Sequence, residues 1–350
     1  MKSFRHFHVR SLREAASLLA KYRGNARINA GGTDLLGCLR DYCLAEYPEA
    51  VIDIKGIPGL DHIKSGSRGL SIGALAKLAD VVQSPVVREE YPLLAEAARS
   101  VATPNIRNMA TAGGNLVQEI RCWYYRYPRH IGGPIVCLRK GGKACNAAAG
   151  DNRYHSVFGP APAPPPEMSV TGANTGSGAA AVRPRGGCFA VNPSDLAVAL
   201  LALNGIVVTT GRSIPAETFF MADTVRTTVL EPDEIIKEIR VPKPPKMNRQ
   251  AYLKFTLRKP VDFAVVSTAC VISEKGGICS GARLVLGAVG PSPLRARSAE
   301  EFMTGKPINE ETASEAAQLA FAAARPLGMN GYKIRIGMTL IRRALLNIPE

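Results

Sequence analysis

The sequence predicts an α+β protein of two domains, and three observations carry that expectation. Short strand-like runs alternate with helix-like segments through the first third of the chain, the pattern of a mixed domain. A Pro-Lys-rich piece, Pro242-Lys243-Pro244-Pro245-Lys246, has the composition of a domain junction. Beyond it come three strand-like runs and then two helix-like ones, enough for a second, smaller α/β domain. The boundaries are then residues 1–241 and 247–350. A chain of 350 residues has the length of two domains or three, and its 46% hydrophobic and 21% charged residues are ordinary for sizeable cores.

Taken in order, Ser11 with Glu14 three residues later is a capping box opening an amphipathic helix over 11–22. Arg27-Ile28-Asn29-Ala30 is a strand running into a Gly-Gly turn, Val51–Ile54 a second strand and Leu70–Gly73 a third. Leu75–Val82 and Tyr91–Val101 have helical spacing. An insertion follows over 121–188: residues 121–158 are rich in Cys and Arg, and 159–187 are mostly Pro, Ala, Gly and Ser, the composition of a loop or linker. Regular structure resumes at Phe189-Ala190-Val191, with a helix over Pro193–Leu203 that starts near Ser194 or Asp195 and a strand at Gly205–Val208. A turn at Leu230–Glu234 leads to a strand at Ile235–Val241. The second domain has strands at Ala251–Leu257, Ala264–Ile272 and Ala282–Val289. Its two helices run from Glu310, with Asn309 near the cap, to about Ala324, and from Tyr332 to Leu346.

Two glycine stretches are candidate binding loops: Ala30-Gly31-Gly32-Thr33-Asp34-Leu35 and Thr111-Ala112-Gly113-Gly114-Asn115. Glycine lacks a Cβ and reaches positive φ at little energetic penalty, so a Gly-Gly pair lets backbone approach a ligand closely. Two such loops can bring N–H groups to one diphosphate, as anion-binding nests do. Neither fits GxGxxG, nor GxxxxGK followed by Ser or Thr, so Rossmann and P-loop sites are excluded. Plain tight turns remain the alternative.

The net charge is +15. The basic residues are spread along the chain without a Lys/Arg block or interleaved aromatics, which disfavours a nucleic-acid partner. Only Arg121–Arg153 is locally biased, with seven Lys/Arg against the single acid Asp151; such a surface suits an acidic partner subunit or an anionic cofactor. No apolar run approaches the roughly 20 residues of a membrane span, and Met1-Lys2-Ser3-Phe4-Arg5 lacks the apolar core of a secretory signal. A cytoplasmic, reducing location is expected, so the eight cysteines are thiols or metal ligands rather than disulfides. Cys38, Cys43, Cys270 and Cys279 lie in or near regular elements and suit burial. Cys122, Cys137, Cys145 and Cys188 sit in the insertion at spacings of 15, 8 and 43. With no CxxC these are not a common zinc ribbon or a standard ferredoxin pattern; zinc, an iron–sulfur cluster and ordinary thiols all stay open. His130 or His155 is available to replace one ligand.

At this point the chain resembles, nearly end to end, the FAD-binding (medium) subunits of the xanthine dehydrogenase family of molybdenum hydroxylases. The resemblance rests on the first Gly-Gly loop, on Asn105-Ile106-Arg107-Asn108 through the second, on Pro193-Ser194-Asp195-Leu196, and on Lys254 in the strand opening the second domain. It implies a two-lobed FAD-binding domain of the vanillyl-alcohol-oxidase (PCMH) type, then a smaller C-terminal α/β domain. It implies that Ile28, Asn29, Ala30, Gly31, Gly32, Thr33, Asp34 and Leu35 wrap the FAD diphosphate together with Thr111, Ala112, Gly113, Gly114 and Asn115. It places Val101 beside the flavin, and Asp195, Ile236 and Lys254 near the flavin ring or its edge. The insertion is similar to that of a subset, 4-hydroxybenzoyl-CoA reductase among them, whose flavin subunit carries an extra [4Fe–4S] cluster. That implies Cys122, Cys137, Cys145 and Cys188 as ligands, with His155 the replacement for Cys188.

The implied activity is electron transfer within an oxidoreductase complex. Substrate chemistry would occur on a molybdopterin-binding large subunit, electrons would pass through [2Fe–2S] clusters on a small subunit to FAD, and NAD or a ferredoxin-like protein would be the outside redox partner. Two alternatives remain: a self-contained flavin oxidoreductase of the same FAD fold, and a zinc-binding interaction module.

Overall fold

The computed structural model describes residues 1–133, 135–161, 187–220, 223–245, 248–259 and 261–346. Most of the Pro/Ala/Gly loop expected at 159–187, and Lys246 of the junction, lie outside the described residues.

The first lobe is a parallel sheet of β1 (Arg5–His8), β2 (Ala26–Asn29) and β3 (Ala50–Asp53), in the order β1-β3-β2. The helix Leu12–Tyr22 joins β1 to β2 and buries Ala15 and Leu19 in a core with Val9 and Ile52. Ser11 caps it as predicted, accepting the Glu14 N–H at 3.2 Å, but the Glu14 carboxylate takes the N–H of Arg10 rather than that of Ser11, so the box is only half closed. β1 is a strand that the sequence pattern did not signal, because three of its four residues are exposed.

The second lobe is an antiparallel sheet of β4 (Ile63–Gly66), β5 (Gly69–Gly73), β6 (Ile206–Thr209), β7 (Ser213–Pro215) and β8 (Ile236–Val241), ordered β4-β5-β8-β6-β7. The pairing of β5 with β8 brings the chain back to this lobe after the insertion. The helix expected over Leu75–Val82 starts only at Leu78: Lys77 bridges to Thr111, and the Ala74 and Ala76 carbonyls accept the N–H groups of Gly113 and Ala112. The helix expected from Tyr91 starts at Pro92, and a further helix fills Pro85–Glu90. Each has proline in its first turn, where the missing N–H is harmless.

The C-terminal sheet contains β9 (Asn248–Phe255), β10 (Val266–Lys275), β11 (Ile278–Gly287) and β12 (Leu294–Arg295), antiparallel and in the order β12-β11-β10-β9. Successive side chains of a strand face opposite ways. Cys270, Leu284 and Leu286 therefore pack with the helices Arg297–Met303, Glu310–Phe321 and Tyr332–Leu346, while Tyr252, Ala269 and Val285 join the core of the second lobe. On that second face lies the helix Asp195–Ala202, capped by Ser194 and buried at every residue, as a helix enclosed between two layers must be.

Residues 152–158 form a strap beneath the C-terminal domain. The Asn330 amide donates to the carbonyls of His155 and Ser156 at 3.1 and 3.0 Å. The buried Lys333 ammonium donates to those of Tyr154, His155 and Ala288 at 3.3, 2.9 and 2.6 Å. The Met329 N–H reaches the Asn152 side chain at 2.9 Å.

Candidate functional site

Between the lobes lies a cavity of about 530 Å³, within the usual size of small-molecule sites. Both glycine stretches line it. Of the residues singled out from sequence, Ile28, Ala30, Gly31, Gly32, Thr33, Asp34, Leu35, Val101, Thr111, Gly113, Gly114, Asn115 and Ile236 are on its wall. Asn29, Ala112, Asp195 and Lys254 are buried and do not line it.

The two stretches differ in what they offer. Among the described residues, no acceptor takes the N–H groups of Gly31, Gly32 and Thr33, so they remain available to an anion. In the second stretch the N–H groups of Ala112, Gly113 and Asn115 go to the carbonyls of Ala76, Ala74 and Thr111, and that of Gly114 to the Thr111 hydroxyl. It is no loop but a short helix, Ala112–Leu116, capped by Thr111. Its glycines act by being small: a Cβ on Gly113 would sit 3.0 Å from the Ala74 carbonyl oxygen, and one on Gly31 would sit 2.1 Å from that of Met109. The backbones of the two walls thus touch where the glycines are.

Asp34 turns away from the role of a free carboxylate. Arg121 and Arg126 meet its Oδ1 at 2.8 and 2.6 Å, and its Oδ2 accepts the Glu119 N–H at 2.8 Å. It therefore anchors the start of the cysteine segment to the first glycine turn. Arg126 also donates to the Ile120 carbonyl at 2.6 Å. Replacing Arg126 by Gln is expected to lower stability by about 2 kcal/mol, within the range for a partly buried charged hydrogen-bond centre, as read by urea unfolding.

Behind the cavity, Lys254 and Asp195 form a buried ion pair at 2.7 Å. The Tyr252 hydroxyl donates to the other Asp195 oxygen at 2.5 Å, and Lys254 donates to the Ser100 carbonyl at 2.9 Å, next to Val101 on the wall. Tyr252 and Lys254 are two apart on β9 and face the start of the helix Asp195–Ala202. Burial pushes the Tyr252 phenol well up, so it remains a donor. Ala102, also on the wall, holds φ +44°, with the Arg107 guanidinium on the carbonyls of Val101 and Ala102 at 2.8 and 2.7 Å. That left-handed turn strains a non-glycine residue by about 1–2 kcal/mol, and the two hydrogen bonds hold it.

A second, small cavity of about 10 Å³ is lined by Cys122, Cys137, Cys145 and Cys188 together, with Tyr125 and Arg139. Burial pushes the Cys122 thiol up to about 11. The Cys188 thiol is pulled below its ordinary value, first by a hydrogen bond with Cys145 and then by Arg139. Its sulfur also accepts N–H groups of Arg139 and Ala190, both at 3.4 Å. His155 touches Cys122 Sγ through Nε2 at 3.2 Å from outside the lining. His130 is no part of the lining.

The profile of the FAD-binding domain of molybdopterin dehydrogenases matches residues 2–244 of this chain. The chain belongs to that family of FAD-binding medium subunits. The profile of the C-terminal domain of CO dehydrogenase flavoproteins matches residues 251–348 of the subunit. Its relatives include the aldehyde oxidoreductase FAD-binding subunit PaoB of Escherichia coli K12, 30% identical over 99% of this chain and 98% of PaoB. The carbon monoxide dehydrogenase medium chain of Hydrogenophaga pseudoflava is 28% identical over 98% and 96% of the two chains. A solved structure of carbon monoxide dehydrogenase from that organism superposes with a TM-score of 0.71 at 27% identity, covering 98% of this chain and 96% of that one. This flavoprotein is therefore an oxidoreductase subunit, and the large cavity is its candidate FAD site. Among its described residues no helix is long and apolar enough to cross a membrane.

Among the wall residues of this subunit that sequence reasoning missed are Arg121, Phe263 and Glu234. Arg121 lies with its guanidinium 4.5 Å from the Phe263 ring, and Phe263 arrives from the C-terminal domain. Glu234 lines the wall while bonded to Arg212 and Thr209. Nothing in local patterning marks them, since each depends on contacts distant in sequence.

Proposed function

We propose that this chain is the electron-relay subunit of a molybdopterin-dependent hydroxylase, dehydrogenase or reductase, binding FAD in the large cavity and a [4Fe–4S] cluster at Cys122, Cys137, Cys145 and Cys188. Its partners on this reading are a molybdopterin-binding large subunit and a [2Fe–2S] small subunit. The outside redox partner is NAD or a ferredoxin-like protein, and the setting is the reducing cytoplasm, with the division between domains at 242–246. FAD supplies the exchange between two-electron and one-electron carriers. The protein's part is to bind and shape. The free N–H groups of Gly31, Gly32 and Thr33 would receive the diphosphate. Lys254, neutralised by Asp195, would fix the Ser100–Val101 turn at the wall rather than reach into the cavity. Of the seven bases in residues 121–153, the exposed Arg129, Lys143 and Arg153 would meet an acidic donor or acceptor, while Arg121, Arg126 and Arg139 are taken up by contacts within the chain.

The observation that supports the cluster is the donor set: four cysteines scattered from 122 to 188 line one cavity, and a Cys₄ set is what such a cluster takes. The Arg139 and Ala190 N–H groups on Cys188 stabilise a thiolate. A space of about 10 Å³ has room for roughly one water, so loading a cluster would require the segment carrying the partly exposed Cys122 and Cys145 to open. The same small space favours, as a second reading, a single zinc ion held by the four sulfurs.

The test is an anaerobic visible spectrum of the full chain with iron and acid-labile sulfide counted. Flavin with about four irons and four sulfides, and loss of the iron in Cys188→Ser, is the expected result. Flavin with zinc and no iron after reconstitution supports the second reading. Flavin with neither metal leaves the segment a structural insertion.

A further inference from the structure

We infer that His6, His8 and Asp53 form a surface site for a divalent transition-metal ion of nitrogen and oxygen preference, zinc being the ion tested. His6 and His8 are two apart on β1, so both side chains leave the same face. β1 is the outer strand of its sheet, and His8 is in register with Asp53 on β3. One donor atom from each of the three residues lies within 4.8 Å of the others, and the two imidazoles meet edge to face with centroids 4.5 Å apart. A tetrahedral zinc ion with ligands at 2.0–2.2 Å needs donor atoms about 3.4 Å apart. Rotation of the exposed imidazoles closes that gap, while the Asp53 carboxylate, buried and fixed, serves as the anchor.

The carboxylate is already set for a cation. Asp53 Oδ1 accepts the Lys55 N–H at 3.0 Å, and Oδ2 faces His8 Nδ1 at 3.6 Å and Lys55 Nζ at 3.1 Å. Lys55 is half exposed and free to swing into solvent, so the metal would displace an ammonium that stands in its place. In a chain of net charge +15 a general attraction for cations is absent, and binding must come from these ligands. Two imidazoles and a carboxylate with open positions are a donor set that zinc, nickel and cobalt share. The site lies on the N-terminal sheet, apart from both cavities, and does not depend on the flavin reading.

The test reads the two histidines individually, so zinc captured by cysteines elsewhere does not confuse it. The full chain is treated with diethyl pyrocarbonate at rising zinc concentrations, and carbethoxylation of His6 and His8 is followed by peptide mass spectrometry. The expected result is protection of both together, a half-protecting concentration raised at least tenfold in Asp53→Asn, and one lowered several-fold in Lys55→Ala. No protection overturns the site. Protection of His8 unchanged in Asp53→Asn also overturns it, and the same reading in His6→Gln, at an exposed residue, keeps the test decisive should Asp53→Asn fail to fold.

Discussion

Gly31→Ala is expected to purify with less than a tenth of the flavin per chain of the natural protein. The new Cβ would stand 2.1 Å from the Met109 carbonyl oxygen, 2.8 Å from its carbon and 3.0 Å from Ala110 Cα. All three are backbone atoms, so no side-chain rotation relieves the overlap. The first turn must move away from the 109–110 wall, and overpacking of this kind ordinarily costs about 1–3 kcal/mol or more. The movement would draw the unpaired N–H groups of Gly31, Gly32 and Thr33 together away from the position proposed for the diphosphate. Gly37→Ala is the matched control: it lies in the helix Leu35–Asp41, a Cβ there meets nothing within 4 Å, and alanine is the better helix former by about 1 kcal/mol. Equal flavin content in the two variants, by absorbance against protein mass, would remove the first turn from the cofactor site.

The other large effect is expected at the ion pair behind the wall. Lys254→Met leaves the Asp195 carboxylate buried with Tyr252 as its remaining side-chain donor. Lys254 is 7% exposed and Asp195 4%, and removing one partner from such a pair costs about 3–5 kcal/mol, far more than the pair itself contributes. Urea unfolding followed by circular dichroism is the measurement. The double variant Asp195→Leu/Lys254→Met should recover at least half of the loss, since no unpaired charge is left. A Lys254→Met chain as stable as the natural one would mean that the carboxylate is protonated or hydrated there, and that the pair does not hold the Ser100–Val101 turn.

What the sequence made legible is the part encoded locally. Ser11, Ser194 and Asn309 each cap a helix close to the predicted start, because a cap oxygen and the N–H that donates to it lie within three residues. Lys254 lies on the strand that opens the last sheet, and both glycine stretches reach one cavity. The function of those glycines was less legible. Spacing suggested two donor loops, whereas the second is a capped helix whose N–H groups serve the 74–76 backbone. Asp34, expected at the diphosphate, lines the cavity with its carboxylate held by Arg121 and Arg126, about 90 residues along the chain. Arg139 had no signal at all. Its guanidinium links Cys188 to the Val225 carbonyl at 2.7 Å, contacts set by how two distant loops pack.

The strap at residues 152–158 bears on the order in which the protein is made. Its hydrogen-bond partners Met329, Asn330 and Lys333 are near the end of the chain, and synthesis delivers the N-terminal part first. The segment carrying Cys122, Cys137 and Cys145 is therefore complete on the ribosome long before the helix that seats His155 against it has emerged. Until residue 333 is released, the His155 carbonyl lacks the Asn330 amide and the Lys333 ammonium that hold it. The strap is therefore fastened last, and with it the contact of His155 with Cys122.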